Sequence, residues 1–156
     1  MAENLPVKVA LSLSDPFCVE RHHQDFNELI RSRVDLLFCN QEEAFTMMET
    51  QVTQEALAGL SENVETVVMT LGNRGSLICN QGQIYYIDPI EVEVVDTTGA
   101  GDAYAAGFLY GFSHDQSIMN CGRIASEMAG TVIEQIGPRI ETASMKTLKE
   151  RLTNIP

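Results

Sequence analysis

The stretch that decides the fold is Val94–Phe108, VVDTTGAGDAYAAGF, which stands between a strand-like run and an apolar pattern with helical spacing. Glycines at 99 and 101 permit a tight turn with positive φ and let a ligand approach the backbone. The N–H groups of Gly99, Ala100 and Gly101, with that of Asp102, then face outward at a helix N-terminus, which is where anions bind. The stretch therefore predicts a site for a phosphate-like group.

This glycine turn matches neither common phosphate loop. A dinucleotide fingerprint requires glycine where Tyr104 stands, and no lysine follows as in a Walker loop. A carboxylate at Asp102 repels a bound phosphate, but it is useful if it takes a proton from an attacking hydroxyl. The alternative is a first-turn acid that complements the helix dipole. The seven-residue string Asp96–Asp102 favours the catalytic interpretation.

Periodicity outward from this stretch predicts the remaining elements. The predicted strands are Val7–Leu13, Val34–Asn40, Glu65–Gly72, two in a hairpin over 75–89 and one in 90–99. The predicted helices are Glu20–Ser32, 41–50, 53–62, 100–112, 116–136 and 144–152, with a turn at 14–17. Strands alternating with helices predict one α/β domain over residues 1–156. Its sheet is mainly parallel and flanked by helices, with an antiparallel hairpin at one edge.

Composition excludes several classes of protein. Ten basic against 22 acidic residues give a net charge of −12, which argues against a nucleic-acid surface. No apolar run approaches the roughly 20 residues of a membrane span, and the N-terminus is no signal peptide, so we expect a soluble cytoplasmic protein. The four cysteines show no C-x-x-C spacing, which makes a zinc site or a disulfide framework improbable.

The string DTTGAGD, Asp96–Asp102, followed by a helix of small residues, resembles the signature of the ribokinase-like (PfkB) carbohydrate and nucleoside kinases. Those proteins transfer the γ-phosphoryl group of ATP to a hydroxymethyl group. The resemblance implies a ribokinase-like fold, Asp102 as catalytic base, and an anion hole formed by Gly99, Ala100 and Gly101.

Two further segments extend the resemblance to the nucleotide site. Asn40-x-x-Glu43 is similar to the family's N-x-x-E motif, which organises Mg²⁺ through water; by itself it is also a common helix start. Thr70, Gly72 and Gly75 resemble the T-x-G-x-x-G segment that lies along the nucleotide. Taken alone, that segment is a plain strand-to-hairpin turn.

Two other assignments are implied with less support from the residues themselves. Ser126 lies, by its spacing from Asp102, near the expected adenine position, although a helical serine is more often a small packing residue. The family's monovalent cation (K⁺) site maps to Asp96 and Thr98 and to the backbone carbonyls of the two isoleucines after the long helix. Those isoleucines are Ile133 and Ile136. Such a cation neutralises Asp96 and braces the anion hole.

Phe17 indicates the branch of the family. The segment LSLSDPF followed by VDLLFCNQEEA resembles adenosine kinases, in which the phenylalanine stacks on the nucleoside base. Stacking on a base contributes about 1–3 kcal/mol. The alternative is a core phenylalanine after a turn, and sugars remain open as acceptors.

The resemblance runs from about Val7 to the end but covers only the C-terminal half of such a kinase. The acceptor-binding half, with its glycine pair and lid sheet, is absent. We therefore expect a chain that binds ATP or ADP with Mg²⁺ and is inactive or weakly active alone. A non-catalytic nucleotide-binding or assembly fragment is the alternative. The free edge of the first strand predicts a homo-oligomer or a separate N-terminal partner chain.

Overall fold

The structure is a computed structural model that describes residues 7–153 and residue 155. Its strands are β1 (Ala10–Ser12), β2 (Leu36–Asn40), β3 (Thr66–Thr70), β4 (Ser76–Asn80) and β5 (Gln83–Ile87). Its helices are α1 (Pro16–Arg21), α2 (His23–Ser32), α3 (Gln41–Met48), α4 (Thr53–Ser61), α5 (Ala100–Ser113), α6 (Ile118–Ile133) and α7 (Thr142–Thr153). A short 3₁₀ turn, Gly72–Arg74, joins β3 to β4. None of the described helices combines the length and the apolar character needed to cross a membrane.

The five strands form one mixed sheet in the order β1-β2-β3-β4-β5. β1 and β2 are parallel, as are β2 and β3, with Asn40 opposite Thr70 in the register. β4 is antiparallel to β3. Leu71 N donates to the Gly75 carbonyl at 2.8 Å, and Gln81 N donates to the Glu65 carbonyl at 2.9 Å. The hairpin at one edge is confirmed, and the parallel part is limited to three strands.

A two-residue turn closes the β4–β5 hairpin. Gln81 and Gly82 both have positive φ, at 49° and 81°. Two successive residues in the left-handed region define a type I′ turn, whose twist suits a tight hairpin. The predicted turn at this glycine is therefore confirmed.

The chain divides into two compact units, one with the residues up to 70 and 77–84, the other with 71–76 and the residues from 85 onward. In the first unit, β2 and β3 carry nearly continuous apolar runs, and Leu37, Val67 and Val68 are fully buried, as expected of strands covered on both faces. In the second unit, α5 packs on α6, and Phe108 and Cys121 are fully buried.

The turn predicted at 14–17 is present only at its start, where Asp15 N donates to the Leu13 carbonyl at 2.9 Å and Ser14 has φ 71°, because a helix begins at Pro16. Asp15 caps α1 by accepting a hydrogen bond from Cys18 N at 2.8 Å, and Pro16 occupies the first helical position. Proline suits that position because its missing N–H would have no helical partner there. The single helix predicted over Glu20–Ser32 is consequently two helices, which meet at His22.

The strand predicted within 90–99 is also wrong. Val95 N and Asp96 N both donate to the carbonyl of Ile133 at the end of α6, at 2.8 and 3.2 Å. A β-carbon placed on Gly130 of α6 would lie 3.5 Å from Val92, so the segment runs close along that helix. Ile90 and Val92 lie against α6, whereas Val94 and Val95 are exposed, and the segment pairs with no strand among the described residues.

Candidate functional site

Gly99 forms the N-cap of α5 in the left-handed region, with φ 81°. A β-carbon at this position would lie 2.5 Å from Cβ and 2.8 Å from Cα of Pro138. The predicted positive φ at Gly99 is therefore confirmed. Glycine is required both for that conformation and for the close approach of Pro138.

Gly101 differs from Gly99, and the expectation of positive φ at Gly101 is wrong. It lies in the first turn of α5 with helical backbone. It is exposed, and no atom comes within 4 Å of a β-carbon built there. Neither backbone strain nor neighbouring atoms require glycine here, so its effect is to keep the space outside the helix mouth open.

The N–H groups at the start of α5 are mostly unpaired. Ala100 N donates to the carbonyl of Thr97 at 3.1 Å. Within residues 7–153, no acceptor is found for the N–H groups of Gly99, Gly101 and Asp102. These donors and the positive end of the helix dipole favour an anion at this point. Asp102 is exposed on the same turn, so the helix mouth combines open donors with a carboxylate.

Asp96 fastens the loop that precedes α5. Its Oδ1 accepts from Thr98 N and its Oδ2 from Gly137 N, both at 2.9 Å. These two backbone donors, with the Thr98 hydroxyl, hold the pKa of Asp96 below its usual range. The carboxylate therefore ties the Thr97–Gly99 turn to the segment after α6.

The residues predicted to bind a monovalent cation also make contacts within the protein. The Ile133 carbonyl already accepts the N–H groups of Val95 and Asp96. Each oxygen of Asp96 accepts one backbone N–H, from Thr98 and from Gly137. These contacts brace the loop, and the cation site at these residues stays a prediction.

Asn40 and Glu43 form a reciprocal cap at the start of α3. Asn40 Oδ1 accepts from Glu43 N at 2.9 Å, while Glu43 accepts from Asn40 N at 2.9 Å and from Asn40 Nδ2 at 2.7 Å. Glu43 is only 5 % exposed. Burial raises the pKa of Glu43, and the negative charges of Asp15 and Glu42 add to the rise. The structure therefore agrees with the interpretation of this motif as a helix start.

Thr70 lies beside Asn40 because the two residues are register partners at the ends of parallel strands β3 and β2. The carboxyl ends of parallel strands form the edge at which α/β proteins bind ligands. The first unit thus places two predicted nucleotide-site residues together at that edge.

Gly72 and Gly75 flank the 3₁₀ turn with φ of 63° and 81°. A β-carbon on Gly72 would meet nothing within 4 Å, whereas one on Gly75 would lie 2.0 Å from the carbonyl oxygen of Ile87. Gly72 leaves space for a ligand. Gly75 is required by the protein's own backbone.

Ser126 lies in α6 and is 9 % exposed. It lies close enough to Tyr104 of α5 to influence the pKa of that phenol. Its burial agrees with the packing alternative for Ser126. Its placement near an adenine stays a prediction.

Phe17 is 75 % exposed at the start of α1, so the core alternative for this side chain is wrong. It borders an open groove of about 440 Å³. The other lining residues are Pro16, Glu20, His23, Thr46 and Glu49. An exposed aromatic ring beside a groove is available for stacking on a ligand.

Sequence reasoning missed the residues that hold the motif from a distance. Gly137 N donates to Asp96, and Pro138 lies against Gly99. Ser76 is hydrogen-bonded to Tyr104 of α5 at 2.5 Å. The G-P pair marks a helix end in the sequence, but no local signal connects it to residues 41 positions earlier.

The open helix N-terminus of an α/β fold is a place where phosphate groups commonly bind. Residues 2–144 match the family model described as pfkB family carbohydrate kinase. The chain belongs to this family.

Individual relatives agree with that assignment. An uncharacterized sugar kinase of Archaeoglobus fulgidus is 32 % identical over 120 residues, which cover 77 % of this chain and 48 % of the relative. The crystal structure of adenosine kinase from Sinorhizobium meliloti matches with TM-score 0.87 and 39 % identity, over 92 % of this chain and 44 % of that one. The Arabidopsis thaliana ribokinase complexed with ribose and ATP matches with TM-score 0.70 and 29 % identity, over 81 % and 43 %. The chain thus spans about half the length of the relatives it matches.

Proposed function

We propose that this chain supplies the nucleotide half of a kinase site that transfers the γ-phosphoryl group of ATP to a hydroxymethyl group. The observation that carries the proposal is the mouth of α5, where Gly101 leaves open space and three N–H groups lack acceptors among residues 7–153. Such donors stabilise the charge that spreads over a transferring phosphoryl group.

In the proposed reaction, the acceptor hydroxyl forms a new bond to the γ-phosphorus while the bond from that phosphorus to the bridging oxygen of ADP breaks. Asp102 takes the proton that the hydroxyl loses. Its exposed carboxylate is suited to this role because it lies on the same helical turn as the donors of Gly101 and Asp102. A positioned base contributes about 10²–10⁴-fold to such a step.

Mg²⁺, when bound, offsets the negative charge of the phosphates. Asn40 and Glu43 are the residues we assign to its water shell. Each oxygen of Glu43 accepts one N–H from Asn40 and keeps a lone pair for a water molecule. Mg²⁺ usually retains several waters and takes few direct protein ligands.

An adenosine-like nucleoside is the acceptor that we favour. The exposed Phe17 provides an aromatic face, and the similar protein from Sinorhizobium meliloti is an adenosine kinase. Base stacking does not depend strongly on base identity, so Phe17 supports a nucleoside over a sugar without selecting the base.

A second candidate is a non-catalytic nucleotide-binding or assembly module. The observation that favours it is length, since the chain covers only 43–48 % of the relatives compared above. It predicts nucleotide binding with no phosphorylated product for any acceptor.

Calorimetry with Mg-ADP tests the anion site. The chain should bind, and Gly101→Asp should weaken binding at least about tenfold, because a carboxylate then occupies the open helix mouth. Gly82→Asp is the matched control, since it places the same charge in open space at the β4–β5 turn. Equal affinities for the wild type and Gly101→Asp would remove the anion-site assignment.

Turnover tests the base and separates the two candidates. The assay mixes this chain with the N-terminal half of a related kinase and supplies ATP with a panel of nucleosides and sugars. Asp102→Asn should retain Mg-ADP affinity and lose about 10²-fold or more in kcat. An unchanged kcat would exclude Asp102 as base, and binding without product for any acceptor would favour the non-catalytic module.

A further inference from the structure

Tyr104 carries the one buried polar side chain described in the first two turns of α5, and the function proposed above makes no use of it. The tyrosine is 6 % exposed, and its hydroxyl lies 2.5 Å from Oγ of Ser76, which is itself fully buried. On the side of α6, the same hydroxyl donates to the carbonyl of Gly122 at 3.5 Å, and Ser126 is close enough to influence its pKa. One phenolic group therefore joins three elements of the second unit.

The polar contact of Tyr104 stands out against the apolar packing of the rest of α5. Further along α5, the contact with α6 is apolar and close, because β-carbons on Gly107 and Gly111 would lie 2.7 and 3.1 Å from backbone atoms of α6. Phe108 on the same helix is fully buried. Phenylalanine at 104 would fill almost the same volume. The hydroxyl of Tyr104 therefore contributes orientation, because its bond to Ser76 fixes the position of the first turn of α5.

Both ends of this link adjoin predicted phosphate-site residues. Tyr104 follows Gly101 and Asp102 by less than one helical turn. Ser76 follows Gly75, which closes the 3₁₀ turn through hydrogen bonds with Gly72 and Leu71. Burial raises the pKa of Tyr104, which keeps the phenol neutral and able to donate.

We propose that Tyr104 is a positioning residue: its hydroxyl, held by Ser76 and by the Gly122 carbonyl of α6, sets the orientation of the α5 mouth and couples it to the Gly72–Gly75 turn. The part that concerns phosphate binding rests on the proposed function. The part that concerns the rigidity of the α5 start and of the Gly72–Gly75 turn does not.

The test separates positioning from simple stabilisation. Tyr104→Phe leaves Ser76 buried without its partner, which lowers stability. The double variant Tyr104→Phe with Ser76→Ala removes both groups, and Ser126 can bond to the Gly122 carbonyl four residues earlier in its own helix. Stability should therefore largely return in the double variant, because replacing both partners of a buried hydrogen bond is nearly neutral.

The orientation of the α5 start should not be restored in the double variant, and amide hydrogen exchange should show this. Amide hydrogen exchange is measured on the ligand-free chain at Ala103, which donates to Gly99, and at Gly75, which donates to Gly72. Both amides should exchange about tenfold faster in Tyr104→Phe and stay fast in the double variant, while urea unfolding shows recovered stability. Tyr110→Phe, an exposed tyrosine on the same helix, should change neither reading.

Three outcomes decide the matter. Exchange at Ala103 that is unchanged in Tyr104→Phe, or that recovers together with stability in the double variant, overturns the proposal. If Tyr104→Phe does not fold, Ser76→Ala alone serves, since it keeps the tyrosine partnered on α6 and should still free the Gly75 amide. Mg-ADP affinity is measured in parallel. Faster exchange in a chain whose wild type binds no nucleotide would support the positioning role while rejecting the proposed function.

Discussion

At the scale of single residues, Asp96 shows how a motif residue serves the loop that carries the site. Its carboxylate accepts the N–H groups of Thr98 and Gly137, and those donors lower its pKa. A lowered pKa in the folded state means that the charged form stabilises the fold. That stabilisation is present above the ordinary aspartate pKa of about 3.9 and is lost as the pH falls through the lower, folded-state value.

We therefore expect Asp96→Asn to lower the free energy of unfolding at pH 7, because an amide NH₂ would face one of the two backbone donors. The difference between the variant and the wild type should shrink as the pH falls below about 4. Urea denaturation between pH 3 and pH 7 measures it. Asp88→Asn is the control, since Asp88 is exposed. A difference in unfolding free energy that stays constant across this range would contradict the stabilising role of the charged Asp96 carboxylate.

At the scale of elements, two turns of the sheet need glycine for different reasons: Gly75 lies between β3 and β4, and Gly82 lies between β4 and β5. Gly75 and Gly82 share φ 81°, but only Gly75 faces a backbone carbonyl, that of Ile87, whose oxygen would lie 2.0 Å from a β-carbon at position 75. Gly82→Ala should therefore cost about 1–2 kcal/mol for its conformation. Gly75→Ala should cost at least about 3 kcal/mol, since β5 must also move.

Urea unfolding of the two alanine variants measures this difference. Equal costs would show that the approach of Ile87 to Gly75 is not tight. The comparison also bears on the site, because weaker nucleotide binding after Gly75→Ala would report a displaced hairpin. Gly72→Ala, in open space, is the better probe of nucleotide contact.

The same scale shows what the sequence could predict. Continuous apolar runs located β2 and β3, and the glycine after Asn80 located the hairpin, because both signals are local. Asp15-Pro16 was interpreted as a turn although it starts α1, since turns and helix starts favour the same residues. Alternation in 90–95 predicts a strand, but Ile90 and Val92 lie against α6 while Val94 and Val95 are exposed.

Prediction of the site met a similar limit. The start of α5 at the glycine turn could be predicted, because N-caps are local. The contacts of Asp96 with Gly137 and of Tyr104 with Ser76 join residues 41 and 28 positions apart. Packing alone decides such pairs, and no spacing rule indicates them.

At the scale of the whole molecule, one edge of the sheet is formed by β1, a strand of three residues. β1 is Ala-Leu-Ser, with Ala10 and Ser12 exposed and Leu11 half-buried, and it pairs on one side with β2. Its three residues include no proline or charge, which are the common devices that prevent strands from pairing between molecules. The edge is therefore suited to a further strand, from a second copy or from an N-terminal half.

We expect the purified chain to associate through β1 at micromolar concentration. Light scattering should give an average mass above the 17.2 kDa of one chain, rising with concentration. Ala10→Lys should return the mass to that of one chain, because a lysine on the edge opposes pairing. Gln83→Lys on β5, at the opposite edge of the sheet, is the matched control and should leave the mass unchanged. A wild type that is monomeric at all concentrations would contradict the prediction, and dissociation by Gln83→Lys alone would place the contact at β5.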